Sequence, residues 1–179
     1  LGTGTGRMLE LFSADAERGL GIDVNRSMLA YARSKLAKAG LSKAEVRHGD
    51  IYSLALAGGV ADAVVMHQVL HYLSDPALAI REAARILAPG GRLLIVDFAP
   101  HDLEELRARH AHERLGFATA QIGQWLEEAD LNVLETRNLE PSSGDGRQKL
   151  TVSLWLAERP GDRARTSEAV TPRQLERAR

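Results

Sequence analysis

Cysteine is absent from this chain of 179 residues. Its absence excludes a disulfide framework, a cysteine nucleophile and thiolate metal ligands, and it favours a reducing cytoplasm as the protein's location. Aromatic residues are scarce, at 4%, so the sequence carries no stacking signature. No apolar run reaches transmembrane length, and the glycine-rich start at 1–6 is unlike an export signal. We therefore expect no membrane association.

Neither positive nor negative charge is in large excess, because the formal net charge is -1 and the charges are spread along the chain. Neither a basic stripe for nucleic acid nor an acidic block is present. We expect no direct nucleic-acid binding by this domain and a small or neutral partner. The length predicts one domain at 1–158, and the arginine-rich segment 159–179 predicts a flexible charged tail.

Strand-like and helix-like segments alternate along the chain, which predicts an α/β fold with a mostly parallel sheet covered by helices. Asn25 is a candidate N-cap for a helix that stops at Gly40, and Asp75-Pro76 opens a helix that Pro89-Gly90-Gly91 closes. The predicted strands are 20–24, 44–48, 61–67, 92–98, 132–139 and 148–157, and the predicted helices are 7–13, 25–39, 75–87, 102–112 and 119–130. The last two strands are joined by a short loop, which predicts antiparallel pairing, and the apolar strand 61–67 should lie centrally.

A glycine-rich loop, Gly2-x-Gly4-x-Gly6, stands at the start. Arg7 occupies the place where a dinucleotide fingerprint needs its third glycine, which disfavours NAD and FAD. Glycines let the backbone approach a ligand while amides at the helix start face it, which suits the carboxylate end of an amino-acid cofactor. Such a loop normally follows a strand, so we expect the first strand of the sheet to lie upstream of Leu1.

Two acids follow predicted strands. Asp23 could accept hydrogen bonds from both hydroxyls of a ribose; the alternative is an exposed strand-end acid or helix cap. Asp50 could accept from an adenine amino group while Ile51 packs on the ring; the alternative is a turn residue.

The order of these motifs resembles the class I S-adenosylmethionine-dependent methyltransferases over nearly all of residues 1–158. It resembles most the small-molecule branch that includes ubiquinone and menaquinone biosynthesis enzymes, and bacterial methyltransferase domains fused behind arsenic-repressor-type winged-helix regulators. The motifs that carry the resemblance are Leu1-Gly-Thr-Gly-Thr-Gly6, Gly21-Ile-Asp-Val24 with Met28-Leu29, His48-Gly-Asp-Ile51, the stretch 62–73, and Leu87-Ala-Pro-Gly-Gly91.

The resemblance implies a Rossmann-like methyltransferase fold, an antiparallel last strand and S-adenosylmethionine as cofactor. It assigns the glycine loop to the methionine end, Asp23 to the ribose, Asp50 and Ile51 to the adenine, and His67 to the sulfonium region. The implied cofactor-binding residues are Gly2, Thr3, Gly4, Gly6, Asp23, Val24, Met28, Asp50, Ile51, His67 and Gln68.

No universal catalytic residue is expected, because methyl transfer is an in-line displacement that alignment accelerates. Candidate bases are His67, His71 and His101, near strand ends, although a structural role is open for each. His110 and His112 are two apart and point in different directions on a helix, so we expect no metal site. The segments 102–116 and 141–147 are expected to cover the acceptor pocket.

The sequence limits the identity of the methyl acceptor only by disfavouring some classes of acceptor. His67-Gln68-Val69-Leu70 differs from the signature of amino-group nucleic-acid methylases, and without cysteine the chain cannot use the cytosine C5 mechanism. Arsenite is disfavoured because soft arsenic is expected to bind thiolates. We expect methyl transfer to oxygen, nitrogen or carbon of a small molecule, with S-adenosylhomocysteine as the second product.

Two alternatives remain open. A domain that senses S-adenosylmethionine for an upstream DNA-binding domain, with little turnover, would carry the same cofactor motifs. An NAD-dependent oxidoreductase is disfavoured, because Arg7 stands where the dinucleotide fingerprint needs its third glycine. An exposed antiparallel edge at 148–157, or an upstream helical domain, would allow a homodimer.

Overall fold

The computed structural model describes residues 1–140 and 150–161. Its strands are β1 (Gly19–Asp23), β2 (Ala44–His48), β3 (Ala61–His67), β4 (Leu87–Phe98), β5 (Asn132–Leu139) and β6 (Val152–Glu158). Its helices are α1 (Arg7–Leu11), α2 (Arg26–Lys38), α3 (Pro76–Ile86), α4 (Glu105–His110) and α5 (Thr119–Glu128), with a short 3₁₀ helix at Leu70–Tyr72. The predicted loop 141–147, most of the predicted tail and the first residues of the predicted last strand lie outside the described residues.

The strands form two sheets, β1-β2 and β3-β4-β6-β5. β1 pairs parallel with β2, and β3 pairs parallel with β4. β6 lies between β4 and β5 and pairs antiparallel with both. The predicted antiparallel last strand is thus confirmed, and the α/β Rossmann-like architecture with it.

The first residues of the chain run between the two sheets. The backbone nitrogen of Thr3 donates to the Ile22 carbonyl of β1 at 3.0 Å, and that of Leu1 donates to the Val65 carbonyl of β3 at 2.7 Å. The carboxyl ends of β1 and β3 are therefore brought to the same loop, 1–6. The strand expected upstream of Leu1 stays a prediction.

Local signals explain where the helices begin. The Asn25 side chain accepts from the backbone nitrogens of Ser27 and Met28 at 3.1 and 3.0 Å, and the Asp75 side chain accepts from Leu78 at 2.9 Å. These caps satisfy amides that a first helical turn leaves free. Gly40, at φ 69°, follows α2 in the left-handed conformation that ends helices. The predicted starts of α2 and α3 are confirmed.

Two expectations about strands were wrong. β4 begins at Leu87 and not at Arg92, because Leu87 is already extended and pairs with Ala61. β4 is the one neighbour of β3 among the described strands, and the central position predicted for β3 depends on the strand expected upstream of Leu1, so it stays a prediction. The edge proposed for a homodimer at 148–157 is wrong too, because β6 is paired on both sides; β5, whose residues are all exposed, is the edge.

The core lies between the helices and the four-stranded sheet. Trp155 and Phe117 are its largest fully buried side chains. From α3 and α5, Ile80, Ile122 and Leu126 are fully buried, so the apolar faces of these two helices pack on the sheet. A second cluster joins Leu29, Ala32 and Leu36 of α2 to Val46 of β2. No helix among the described residues is long and apolar enough to span a membrane.

Candidate cofactor and acceptor site

The glycine loop lies where β1 and β3 end. Gly2 has φ 64° and Gly4 has φ 49°, a left-handed conformation that strains other residues. A Cβ on Gly2 would lie 2.3 Å from the Cγ2 of Val69, whereas one on Gly4 would meet nothing within 4 Å. Gly2 thus permits close packing against the segment after β3, and Gly4 leaves its outer side open. Gly6, at the start of α1, is buried.

Asp23, at the carboxyl end of β1, is tied to this loop. Its Oδ2 accepts from the backbone nitrogen of Gly4 at 2.7 Å, and its Oδ1 accepts from that of Asn25 at 2.8 Å. A carboxylate offers about four lone-pair positions, so each oxygen retains capacity for a further donor. The two backbone contacts fix the side chain beside the open face of Gly4, which suits it to bind a pair of hydroxyls.

Exposed apolar side chains stand next to Asp23. Val24 is 62% exposed and Met28 is 42% exposed. Met28 lies in the first turn of α2, outside the cluster that joins α2 to β2. An exposed apolar pair beside a carboxylate fits one side of a cofactor with a hydrocarbon and aromatic part.

Asp50 and Ile51 follow β2. The Oδ1 of Asp50 accepts from the backbone nitrogen of Tyr52 at 2.9 Å, which is the turn contact weighed as its alternative role, while the residue itself is exposed. Ile51 is 8% exposed and belongs to the main core, so little of its surface is available to a ring. Asp50 is the better placed of the two for a polar contact.

His67 and Gln68 end β3. Gln68 has φ 49°, a left-handed conformation that is rare outside glycine, and its nitrogen donates to the Val96 carbonyl at 2.7 Å. His67 is half-buried and Gln68 is exposed. This turn leads the chain from β3 into the 3₁₀ helix, which lies beside the glycine loop.

His71 belongs to a buried pair that the sequence did not predict. Its Nδ1 lies 2.7 Å from the Oδ1 of Asp97 in β4, and the two residues are 2% and 0% exposed. Asp97 also accepts from the backbone nitrogens of Leu70 at 3.0 Å and Phe98 at 2.8 Å. Asp97 thereby holds both the imidazole and the start of the 3₁₀ helix.

A signal for Asp97 was present in the sequence. It is the only acid in the apolar run 92–98, and a buried carboxyl needs a partner. The spacing could not show which histidine would supply it. The structure shows that, of the three candidate bases, His71 and not His67 or His101 contacts Asp97.

Two further histidines, His101 and His112, pack on the ring of Phe98. The ring centroids of Phe98 and His101 are 6.0 Å apart, and those of Phe98 and His112 are 5.9 Å apart in a stacked arrangement. Burial, with a smaller effect from other histidines, lowers the pKa of both His101 and His112. The Nε2 of His101 and the Nδ1 of His112 are buried without a hydrogen-bond partner among the described residues.

The segment 102–116 lies against His71, and its predicted role as a cover over the acceptor stays a prediction. The backbone nitrogens of Glu113 and Arg114 approach the His71 carbonyl at 2.9 and 3.2 Å, and the Arg114 guanidinium donates to the Ser74 carbonyl at 2.9 Å. His112 is buried rather than exposed beside His110. Among the described residues no group of three or more His, Cys, Asp or Glu side chains is arranged to hold a metal ion.

Comparison with known proteins gives consistent matches. A family model described as a methyltransferase domain matches residues 1–95, more than half of the chain. A protein of Mycolicibacterium smegmatis named as a probable S-adenosylmethionine-dependent methyltransferase is 28% identical over 148 residues, covering 80% of this chain and 54% of its own length. The ubiquinone/menaquinone biosynthesis C-methyltransferase UbiE of Enterobacter is 30% identical over 134 residues, covering 69% of this chain and 53% of its own length.

Among solved structures, an S-adenosylmethionine-dependent methyltransferase of Aquifex aeolicus matches with a TM-score of 0.69 and 25% identity, covering 88% of this chain and 79% of that one. This chain spans about half the length of the two curated relatives named above.

Proposed function

The chain belongs to the class I S-adenosylmethionine-dependent methyltransferases, and on that premise we propose that it transfers the methyl group of S-adenosylmethionine to a small-molecule acceptor and releases S-adenosylhomocysteine. The observation that carries this proposal is the junction of Gly4 with Asp23. An open glycine surface and a fixed carboxylate meet there at the carboxyl ends of parallel strands, where ligands bind in open α/β sheets.

The residues at this edge fit the cofactor. Backbone amides of loop 1–6 would face the methionine carboxylate, and Asp23 would accept from the ribose hydroxyls. Met28 and Val24 would pack beside the adenosyl group, with Asp50 near the adenine amine. When bound, the cofactor supplies an activated methyl on sulfur. The protein's own residues orient that methyl, exclude water and receive the acceptor.

A small acceptor is supported by the charge distribution and by the covered site. The net charge of -1 provides no field for a polyanion, and the segment 102–116 lies against His71, whose carbonyl accepts from the backbone nitrogens of Glu113 and Arg114. The names of the relatives reported above describe methyltransferases and lend no support to the sensing alternative. A cytoplasmic location remains part of the proposal and is supported by the absence of cysteine; a homodimer and an upstream DNA-binding domain stay predictions.

Calorimetric titration of the full-length protein with S-adenosylmethionine and S-adenosylhomocysteine tests the cofactor site. Asp23→Asn keeps the shape of the side chain but removes its charge, and we expect it to weaken both affinities by about tenfold or more, the range of one hydrogen bond to a charged group. Asp62→Asn is the matched control, because Asp62 is an exposed acid of β3 away from the loop. A folded wild type that binds neither compound would contradict the proposal.

A further inference from the structure

We propose that the methyl acceptor carries a hydroxyl group and that His71, oriented by Asp97, removes its proton beside a cluster of buried rings to which His101 and His112 belong. This inference rests on the proposed function and adds the substrate class and the base. It is carried by four observations: the Asp97–His71 pair, the two unpartnered ring nitrogens, the close packing of these rings, and the contact between this region and the glycine loop.

The Asp97–His71 pair sets which ring nitrogen of His71 can act. An ionised carboxylate only accepts hydrogen bonds, so at 2.7 Å from Oδ1 the Nδ1 of His71 donates its proton. The lone pair of the neutral ring is then on Nε2, for which no described residue supplies a partner. Asp97 would also stabilise the imidazolium after proton uptake, the role an orienting carboxylate plays beside a catalytic histidine.

His101 offers a complementary group. Its Nδ1 accepts from the backbone nitrogen of Leu103 at 3.3 Å, so in the neutral ring the proton is on Nε2, the nitrogen that is buried without a partner. Its lowered pKa keeps the ring neutral near pH 7. A hydroxyl can accept from such a donor and donate to a lone pair at the same time, which a carbon acceptor cannot do.

His112 provides the second buried nitrogen without a partner, Nδ1, on a residue that is 8% exposed. A buried polar atom that is left unpaired destabilises the folded protein, so a ligand that pairs with it is bound more tightly. The ring of His71 lies 4.2 Å from that of His112, 4.1 Å from that of Tyr72 and 5.0 Å from that of Phe98. These rings pack on one another, which fixes the orientation of the histidines.

The cofactor loop adjoins this cluster. Val69 packs closely against Gly2, and the 3₁₀ helix that carries His71 begins at the next residue. The loop assigned to the methionine end and the histidine cluster thus share one boundary. A methyl on the cofactor's sulfur would face the acceptor across it.

The reaction balances with these groups alone. A lone pair of the acceptor oxygen forms the new C–O bond as the C–S bond breaks, and the electron pair of the C–S bond stays on sulfur to give neutral S-adenosylhomocysteine. The hydroxyl proton moves to Nε2 of His71 and is later lost to solvent. A neutral amine already presents a lone pair and can release its proton after transfer, so a base held in this orientation indicates a hydroxyl.

Steady-state turnover by the full-length protein tests the inference, with S-adenosylhomocysteine formation measured against a panel of simple phenols and, in parallel, primary and secondary amines. We expect the wild type to methylate at least one phenol at oxygen. His71→Gln should lower kcat by about 10²–10⁴-fold, the usual contribution of a positioned base, with little change in S-adenosylhomocysteine affinity. Asp97→Asn should lower kcat more than it changes KM. His110→Gln, an exposed histidine two residues from His112 in the chain, is the control and should match the wild type.

Nuclear magnetic resonance of protein labelled with ¹⁵N-histidine tests the dyad without an acceptor. We expect the His71 proton on Nδ1 in the wild type at pH 8 and its redistribution toward Nε2 in Asp97→Asn. A wild-type His71 with its proton on Nε2 would overturn the inference. So would unchanged kcat in His71→Gln, or turnover of amines alone by a wild type that binds the cofactor. Failure of the folded wild type to bind S-adenosylhomocysteine would instead overturn the proposed function, and this inference with it.

Discussion

In the proposed site, single side chains at the carboxyl edge of the sheet would serve two different ligands. Asp23 would bind the cofactor through oxygens that backbone amides already orient. His71 would act on the acceptor through the ring nitrogen that does not contact Asp97. The two carboxylates differ in surroundings, since Asp23 is half-buried and Asp97 is fully buried. Environment, and not residue type, separates a ligand-binding carboxylate from an orienting one.

His112 links stability to pH. Its pKa is lowered, first by burial and then by His71, His101 and His110, with Asp97 opposing. The unfolded chain therefore binds a proton more readily than the folded one. The stability that His112 contributes is present above its ordinary pKa of 6.5 and is lost as pH falls below it.

The measurement that checks this is urea unfolding at pH 7.5 and pH 5.5. We expect the free energy of unfolding of the wild type to fall between the two, and His112→Phe, which fills the site with a ring that cannot titrate, to lose less over the same interval. His48→Phe, at an exposed position of β2 that is not among the groups lowering the pKa of His112, should follow the wild type. Equal pH dependence in the wild type and His112→Phe would contradict the prediction.

At the scale of secondary-structure elements, helix α3 holds the segment after β2 in place through the side chains of Glu82 and Arg85. Glu82 accepts from the backbone nitrogen of Leu54 at 2.7 Å, and Arg85 donates to the carbonyls of Leu56 and Leu54 at 2.9 and 3.2 Å. The Arg85 guanidinium also lowers the pKa of Glu82. Helix α3 thus anchors the segment that follows Asp50 and Ile51, although α3 itself contributes no residue to the site.

Arg85→Gln should loosen that segment. Two carbonyl contacts and the ion pair with Glu82 are lost from a partly exposed side chain, so we expect a small loss of stability. Amide hydrogen exchange should become faster at 52–56 than elsewhere. Arg81→Gln is the control, since Arg81 is an exposed arginine of the same helix with no hydrogen bond to the described residues; exchange at 52–56 that is equally fast in both variants would refute the anchoring role.

Much of this element order could be predicted because its signals are local. Asn25, Gly40, Asp75 and Pro76 act on the residues beside them, and the structure keeps each in the predicted role. The start of β4 could not be predicted, because Pro89-Gly90-Gly91 signals a break while pairing with β3 extends the strand through it. Asp97–His71 was missed for the same physical reason: its partners are 26 residues apart and only the sheet brings them together.

At the scale of the whole molecule, the proposed cofactor side and acceptor side are connected across the boundary between the two sheets. Loop 1–6 bonds to β1 on one side and to β3 on the other, so a ligand seated on it bears on both sheets at once. A ligand that binds only the folded state stabilises it by RT ln(1 + [L]/Kd), about 2.7 kcal/mol at a hundredfold excess over Kd. For a chain of this size each kcal/mol raises Tm by about 2–4 °C.

Thermal unfolding should therefore register S-adenosylhomocysteine as a rise in Tm of about 5–10 °C at a hundredfold excess over the wild-type Kd. Asp23→Asn at the same ligand concentration should show a smaller rise, whereas Asp62→Asn should match the wild type. His71→Gln should also keep the full rise, because His71 is assigned to the acceptor and not to the cofactor. If the rise in Tm disappears in His71→Gln but remains in Asp23→Asn, the two assignments must be exchanged. The cofactor would then bind among the histidines.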